Sequence, residues 1–150
     1  MDISAVVSTK AMQLATVGSA NTPWICTVYY VVYQGCFYWL SFPGRRHSRE
    51  ISDNPHVAIA VAIKQTIPVI GLQAEGVVEQ VTDMDEVTPV MARYIAKYSQ
   101  GHTFLKRFAE GSNNHMLYKC RPKRVMCFDE TTATNKPYKD VTKEFNNARN

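Results

Sequence analysis

Apolar residues recur at every second position through much of the first half of the chain. This two-residue period is typical of β-strands. It predicts strands over residues 12–17, 24–33, 36–42, 57–63 and 69–81. Gln34-Gly35 joins the second and third of these as a tight hairpin turn. The second strand is apolar on both faces, so each face needs a cover. In an antiparallel sheet this indicates a barrel with a second layer or a subunit outside it.

Two later strands carry features that bear on packing. In the strand over 57–63, valine and isoleucine alternate with three alanines, Ala58, Ala60 and Ala62. An all-alanine face either leaves room for a flat or bulky group or packs closely against a helix, and the sequence favours neither. The next strand contains Gly71 and Gly76, and glycine inside a strand predicts a bulge or bend.

Helical spacing marks three further segments. A short helix is predicted over 46–53, and it ends before Pro55 because proline disfavours helical geometry in the preceding residue. A longer helix begins at Thr82, which forms a capping-box-like pattern with Asp85, and carries one apolar stripe. Gly101 is predicted to end it, and a second short helix follows.

The rest of the chain returns to strands. Two are predicted, over 115–120 and 125–128, on either side of Arg121-Pro122-Lys123-Arg124. Hairpin-linked strands that bend at glycines, with helices between them, are typical of a small antiparallel barrel. The sequence therefore predicts one mainly β domain over 1–130, with helices packed outside the barrel.

The C-terminal segment differs in composition. From Thr131 onward apolar residues thin out, and the large anchors after Tyr138 are Val141 and Phe145. This composition predicts a tail over 131–150, flexible or draped over a neighbour.

Composition limits the classes of partner. A formal charge of +4 and a pI near 8.9 permit phosphate-bearing ligands without requiring nucleic acid. No signal peptide and no membrane-spanning apolar run are evident, so the cytoplasm is the expected location. No Cys-x-x-Cys pair occurs, and no metal site is predicted from the four cysteines, Cys26, Cys36, Cys120 and Cys127.

The richest local signal follows the third predicted strand. The strand ends in Ser41-Phe42-Pro43-Gly44 and runs into a basic helix start. Four cationic or titratable residues lie there, Arg45, Arg46, His47 and Arg49. Free N–H groups at a helix start suit phosphate, so this segment is a candidate anion site. The alternative is a solvated basic turn.

Four motifs in this order resemble a known family. They are Leu14-Ala15-Thr16-Val17 before Pro23-Trp24, the hairpin that ends in Ser41-Phe42-Pro43-Gly44, the segment Asp53-Asn54-Pro55-His56-Val57-Ala58, and the strand Gln73-Ala74-Glu75-Gly76-Val77-Val78-Glu79. Over about residues 10 to 130 the chain resembles the pyridoxamine 5′-phosphate oxidase-like family of FMN-binding split barrels. The resemblance implies a split β-barrel that is homodimeric, with FMN at the subunit interface.

The resemblance also implies a cofactor site. By position, Arg46 and His47 are expected to bind the FMN phosphate, and Arg45 and Arg49 are secondary candidates. The strand end at Leu40 and Ser41 is expected to contact the ribityl or phosphate portion. The strand that passes the isoalloxazine ring contributes Cys26, Thr27, Val28 and Tyr29. Flavin chemistry takes place at N5, so no catalytic side chain is predicted.

Two departures from the family qualify this picture. His47 stands where the family commonly has lysine, so FMN binding is expected to weaken above about pH 7 as the imidazole loses its proton. The C-terminal tryptophan-containing segment with an Arg-x-His motif, which binds the B6 substrate, is absent after Cys127. The chain is therefore not expected to be a true pyridoxamine phosphate oxidase.

Three functions follow from these features. The first is a flavoprotein oxidoreductase that passes hydride or electrons between FMN and a small planar, quinone-like or nitro-aromatic substrate. The second is a flavin-, deazaflavin- or haem-binding protein for storage, sensing or detoxification. Haem would need an axial histidine facing the cleft, which the sequence does not identify. The third is a barrel that binds single-stranded nucleic acid.

The nucleic-acid alternative rests on four basic residues, Lys119, Arg121, Lys123 and Arg124. Against it, the candidate stacking residues Trp24, Tyr38 and Trp39 lie among apolar neighbours instead of in a basic stripe. We therefore expect a small-molecule ligand, and neither nucleic acid nor a membrane as partner.

Overall fold

The computed structural model describes residues 3–99, 102–132 and 135–148. Its strands are β1 Ala11–Val17, β2 Pro23–Tyr29, β3 Val31–Tyr33, β4 Cys36–Ser41, β5 His56–Lys64, β6 Ile70–Val81, β7 Met116–Asp129 and β8 Tyr138–Asp140. Its helices are α1 Ile3–Ser8, α2 Arg46–Asp53, α3 Met84–Tyr98, α4 His102–Ala109 and α5 Thr142–Asn146. Within the described residues no helix is both long and apolar enough to cross a membrane.

The strands form one antiparallel sheet that curls into a half-barrel with helices on its flanks. The order is β2-β1-β5-β6-β7-β4-β3, with β8 added to β7. Consecutive strands β2 and β3 therefore lie at opposite ends of the sheet, and the chain passes between them at Tyr30. The Tyr30 amide donates to the Tyr98 hydroxyl at 2.8 Å, and its carbonyl accepts from Lys97 Nζ at 2.8 Å. This confirms the predicted mainly β split barrel with flanking helices.

The sheet explains both strand glycines. The β6–β7 register shifts beside Gly76, which pairs with Pro122 while Glu75 pairs with Arg124. A Cβ on Gly76 would lie 2.5 Å from the Arg121 carbonyl oxygen, so only glycine fits there. Gly71 lies beside a second shift, between β5 and β6. The predicted irregularities at both glycines are confirmed.

Three predicted boundaries are wrong. The strand over 24–33 divides at Tyr30, because the chain passes there from one end of the sheet to the other. The strands over 115–120 and 125–128 are one strand, β7, because the bulge accommodates Pro122, which lacks a backbone N–H. The cap of α3 is Asp83 instead of Thr82, since its carboxylate accepts the Asp85 amide at 3.0 Å. Gly101, predicted to end α3, lies outside the described residues.

The C-terminal segment packs on the barrel of its own chain, in contrast to the tail expected from its composition. β8 pairs with β7, and α5 follows it. Val141 and Phe145 are fully buried, and the Phe145 ring stacks on Phe37 with centroids 4.8 Å apart. Strand pairing and two buried side chains therefore hold this polar segment against the core. Helix α1, which places buried Val6 in the same core, was not predicted from the sequence.

Candidate functional site

A cleft of about 470 Å³ opens beside the strand ends of the half-barrel. Its volume lies within the roughly 300–1,000 Å³ range of small-molecule and cofactor sites. Strands β2 and β4, the start of α2, helices α3 and α4, and the residue before β7 all contribute. The lining residues are Thr27, Val28, Tyr29, Leu40, Ser41, Phe42, Arg45, His47, Tyr94, Tyr98, Phe104 and His115.

Seven of the ten predicted site residues line this cleft, namely Thr27, Val28, Tyr29, Leu40, Ser41, Arg45 and His47. The other three do not. Cys26 packs against the barrel core, with its sulfur 3.7 Å from the Leu14 carbonyl oxygen. Arg46 and Arg49 line a neighbouring groove on the other side of α2.

The two arginines outside the cleft already have partners within the protein. Arg46 Nε lies 2.8 Å from Glu50 Oε1, and its guanidinium is 4.1 Å from the Trp24 ring. Arg49 Nη1 donates to the Gly44 carbonyl. Hydrogen bonds from Thr16 and then from Arg46 lower the pKa of Glu50, so this carboxylate stays ionised and holds Arg46 in place. Of the basic cluster, Arg45 and His47 are the members that face the cleft.

Arg45 stands at the N-cap of α2 without using its side chain to cap the helix. The guanidinium lies 5.6 Å from the Phe42 ring, at the edge of the cleft. First-turn N–H groups of a helix have no intrahelical acceptor and carry partial positive charge. This end of the cleft therefore combines a guanidinium, a helix start and an imidazole, which suits an anion.

His47 is buried and held by two serines. Ser48 Oγ donates to Ser41 Oγ at 3.2 Å, and Ser41 Oγ lies 2.7 Å from His47 Nε2. These contacts fix the orientation of the imidazole ring. Burial, and to a lesser extent the charge of Arg45, lower the pKa of His47, and Glu50 partly opposes this shift. In the free protein the neutral form of His47 is therefore favoured.

The opposite end of the cleft is aromatic. Tyr29 and Tyr98 have ring centroids 5.0 Å apart, and Tyr94 lies 4.8 Å from Tyr98. The Phe104 ring is nearly parallel to Tyr94, at 6.2 Å and 8°. Burial raises the pKa of Tyr98 to about 12, so its phenol stays protonated at neutral pH. The sequence showed Tyr94 and Tyr98 as part of an apolar helical stripe, with no signal that distinguishes a cleft from a core.

His115 also lines the cleft, next to Phe42. Its ring is 4.0 Å from the Phe42 ring. Its Nδ1 lies 3.0 Å from the Asn113 carbonyl oxygen, which only accepts hydrogen bonds. The proton is therefore on Nδ1, and Nε2 keeps a lone pair. An imidazole oriented in this way can accept a hydrogen bond or ligate a metal.

An exposed sheet face adjoins the cleft at Tyr29, which is 62% exposed. Ile25 on β2, Ala15 on β1 and Ala58 on β5 are register partners, so their side chains share one face of the sheet. Ala58 and Ala62 are exposed, and no described helix covers them. Of the two interpretations of the alanine row, the open face is confirmed and packing against a helix is wrong.

Of the four basic residues on which the nucleic-acid alternative rests, Lys119 is buried, whereas Arg121, Lys123 and Arg124 are exposed. Lys119 is 8% exposed, and its Nζ lies 3.0 Å from Glu79 Oε1 and 2.8 Å from Glu86 Oε1. Tyr38 donates to the same Glu86 oxygen at 2.7 Å. Lys119 and Tyr38 are therefore parts of a paired internal network and do not form an open binding stripe.

The chain matches the family model of pyridoxamine 5′-phosphate oxidase over residues 4–126. That span includes the whole of the cleft, strands β1 to β6 and most of β7. The chain belongs to the pyridoxamine 5′-phosphate oxidase family. This confirms the resemblance drawn from the sequence motifs. No curated protein gave a sequence match.

Several solved structures share the fold of this chain. A conserved hypothetical protein of Mycobacterium tuberculosis is 18% identical, with a TM-score of 0.73 over 85% of this chain and 81% of that one. The heme binding protein of Mycobacterium smegmatis is 19% identical, with a TM-score of 0.75 over 97% of this chain and 57% of that one. HutZ, the heme storage protein of Vibrio cholerae, is 22% identical, with a TM-score of 0.63 over 81% and 86%. These identities establish a shared fold alone.

Proposed function

We propose that this member of the pyridoxamine 5′-phosphate oxidase family is a flavoprotein that binds FMN in the cleft. The supporting observation is the polarity of the cleft. Arg45 and His47 stand at one end beside the start of α2, and an aromatic cluster that includes Tyr29 and Tyr98 stands at the other. A phosphate attached to a planar ring has the same polarity. The bound flavin supplies hydride or electron transfer to a small planar substrate.

The chain's own residues have distinct tasks in this proposal. Arg45 and the N–H groups of α2 bind the phosphate, and the guanidinium does so by charge-assisted hydrogen bonds. His47, oriented by Ser41 and Ser48, presents its imidazole to the phosphate. The aromatic cluster excludes water from the ring.

FMN binding is tested first by the visible spectrum of protein purified without added cofactor. The spectrum is recorded again after addition of FMN and gel filtration. A two-banded flavin spectrum that stays with the protein is expected. Colourless protein that fails to retain FMN would contradict the proposal and direct the next titration to deazaflavin.

Affinity for FMN should rise as the pH is lowered from about 8.5 to about 6.5. Burial and Arg45 lower the pKa of His47 in the free protein, and a bound phosphate anion raises it again. Binding therefore takes up a proton, and proton uptake is favoured at lower pH. Fluorescence titration at the two pH values measures the difference. His47→Asn should abolish it, and equal slopes in both proteins would remove His47 from the phosphate site.

We also propose that a second copy of the chain covers the exposed face defined by Ile25, Ala15 and Ala58. Ile25 is 61% exposed, and a stable monomer seldom leaves such a row in water. Tyr29 belongs both to this face and to the cleft. A second copy would therefore complete the cofactor site at the interface.

Ala62→Arg should convert this homodimer to a monomer, because a buried unpaired charge opposes association. Sedimentation velocity measures the change. Gln65→Arg adds the same charge in the exposed turn after β5 and should leave the dimer intact. An Ala62→Arg protein that sediments like the wild type would contradict the proposed face.

Haem is the second candidate, favoured by His115. Its Nε2 is the only nitrogen of that ring free to ligate iron, and the ring lies in the cleft. Two proteins of similar fold are named as heme binding or heme storage proteins. The same spectrum tests this candidate: one intense Soret band on haem addition, shifted or lost in His115→Ala, would favour haem over FMN.

A further inference from the structure

A second cleft, of about 500 Å³, lies beside β3, the strand at one end of the sheet. It runs between the end of α1 and the C-terminal half of α3, across β3, and we refer to it as the α1–α3 groove. Its apolar lining comes from Val7, Val31, Val32 and Ala96. Val31 and Val32 are 2% exposed, so the groove reaches the edge of both hydrophobic clusters of the barrel.

Two ammonium groups stand at one part of this groove. Lys97 Nζ donates to the Tyr30 carbonyl at 2.8 Å and lies 3.9 Å from the Tyr30 ring centroid. Lys10 Nζ donates to the Lys97 carbonyl at 2.7 Å. Both lysines line the groove, as does Arg93, whose guanidinium lies 4.2 Å from the Tyr33 ring. Their acceptors are neutral carbonyl groups, which leave further N–H donors on each ammonium.

The positive charge of this pair is not neutralised within the described residues. No salt bridge joins Lys10 or Lys97 to any carboxylate of residues 3–99, 102–132 and 135–148. Burial, followed by the charge of Lys10, lowers the pKa of Lys97 to about 8. Two adjacent cations therefore lie beside an apolar cavity without an acidic partner. A bound anion would stabilise the charged form of both lysines.

We propose that the α1–α3 groove binds a long-chain carboxylate, with its head group on Lys10 and Lys97 and its alkyl chain on the apolar lining. Charge complementarity selects the anion, and the valine-rich lining selects the chain. A short carboxylate would gain the charge alone, and a neutral alcohol of the same length would gain the apolar contact alone. The proposal is independent of FMN, because the groove and the cofactor cleft share no lining residue.

The test is equilibrium binding of cis-parinarate, a fluorescent long-chain carboxylate, to the full chain, with oleate as competitor. Oleate should displace the probe, while oleyl alcohol and acetate should displace it weakly. Lys97→Gln keeps a donor for the Tyr30 carbonyl and removes the charge. It should weaken binding by about tenfold, as expected for one charge-assisted hydrogen bond, and Lys10→Gln should act likewise.

Two further variants separate the groove from the rest of the surface. Ala96→Trp leaves both ammonium groups in place and should block binding by filling the exposed side of the groove. Lys143→Gln, at an exposed position of α5, removes the same charge elsewhere and should leave binding unchanged. If Lys97→Gln fails to fold, Lys10→Gln and Ala96→Trp decide the question.

Three results would overturn the proposal. The first is equal displacement by oleate and oleyl alcohol, which would show that the charge is not used. The second is unchanged affinity in Lys10→Gln and Ala96→Trp. The third is displacement of the probe by FMN, which would assign the carboxylate to the cofactor cleft. Failure of FMN binding leaves the first two readouts intact, so the two proposals fail separately.

Discussion

Arg45→Ala is expected to weaken FMN binding by about 10- to 100-fold, which corresponds to the loss of a charge-assisted hydrogen bond to phosphate. The guanidinium lies at the cleft edge, 5.6 Å from the Phe42 ring. Its side chain does not cap α2, so its removal should leave the helix and the fold unchanged. Flavin fluorescence quenching measures the affinity, and circular dichroism checks the fold.

Arg46→Ala is the matched control for this experiment. It removes the same charge one residue along the same helix, yet its guanidinium is held by Glu50 and Trp24 outside the cleft. We expect its FMN affinity to change by less than about threefold, as for a long-range charge screened by solvent. A larger loss in Arg46→Ala than in Arg45→Ala would show that Arg46 leaves Glu50 when cofactor binds, as the family resemblance implied.

Phe145→Ala is expected to lower the free energy of unfolding by about 3–5 kcal/mol, the usual cost of deleting a fully buried phenylalanine. Phe145 is 0% exposed and stacks on Phe37 at 4.8 Å. The deletion would leave a cavity between α5 and the barrel. Urea unfolding followed by circular dichroism measures the difference.

The control for Phe145→Ala is Lys143→Ala in the same helix. Lys143 is exposed, so its replacement should change the stability by no more than about 0.5 kcal/mol. Equal stability of Phe145→Ala and the wild type would mean that the segment after β7 detaches from the core in solution. It would then be the tail that its composition predicted.

The candidate site was partly predictable because half of it is local in the chain. The end of β4, the Pro-Gly turn and the start of α2 are contiguous, and turn and helix-start chemistry can be recognised in a short window. Most of the aromatic half, Tyr94, Tyr98 and Phe104, comes from α3 and α4, more than forty residues further along the chain. Tyr94 and Tyr98 have the spacing of core residues, and nothing local indicates that they face a cleft.

The choice among the arginines shows the limit of positional reasoning. The resemblance assigned the phosphate first to Arg46 and His47, and Arg45 was secondary. On a helix, neighbouring residues differ by about 100° in direction, so only the orientation of α2 on the barrel decides which one faces the cleft. Glu50, one turn further along α2, then holds Arg46 away.

By itself the sequence determined the strands, the hairpin, the helix start and the split-barrel family, because period, turn residues and motif order are local properties. The tertiary structure alone decided where β2 and β3 separate, how β7 runs through Pro122, and that Phe145 enters the core. It also decided which cations face the cleft and which line the α1–α3 groove. These depend on contacts between residues far apart in the chain, and burial and pairing across such distances leave no periodic signal.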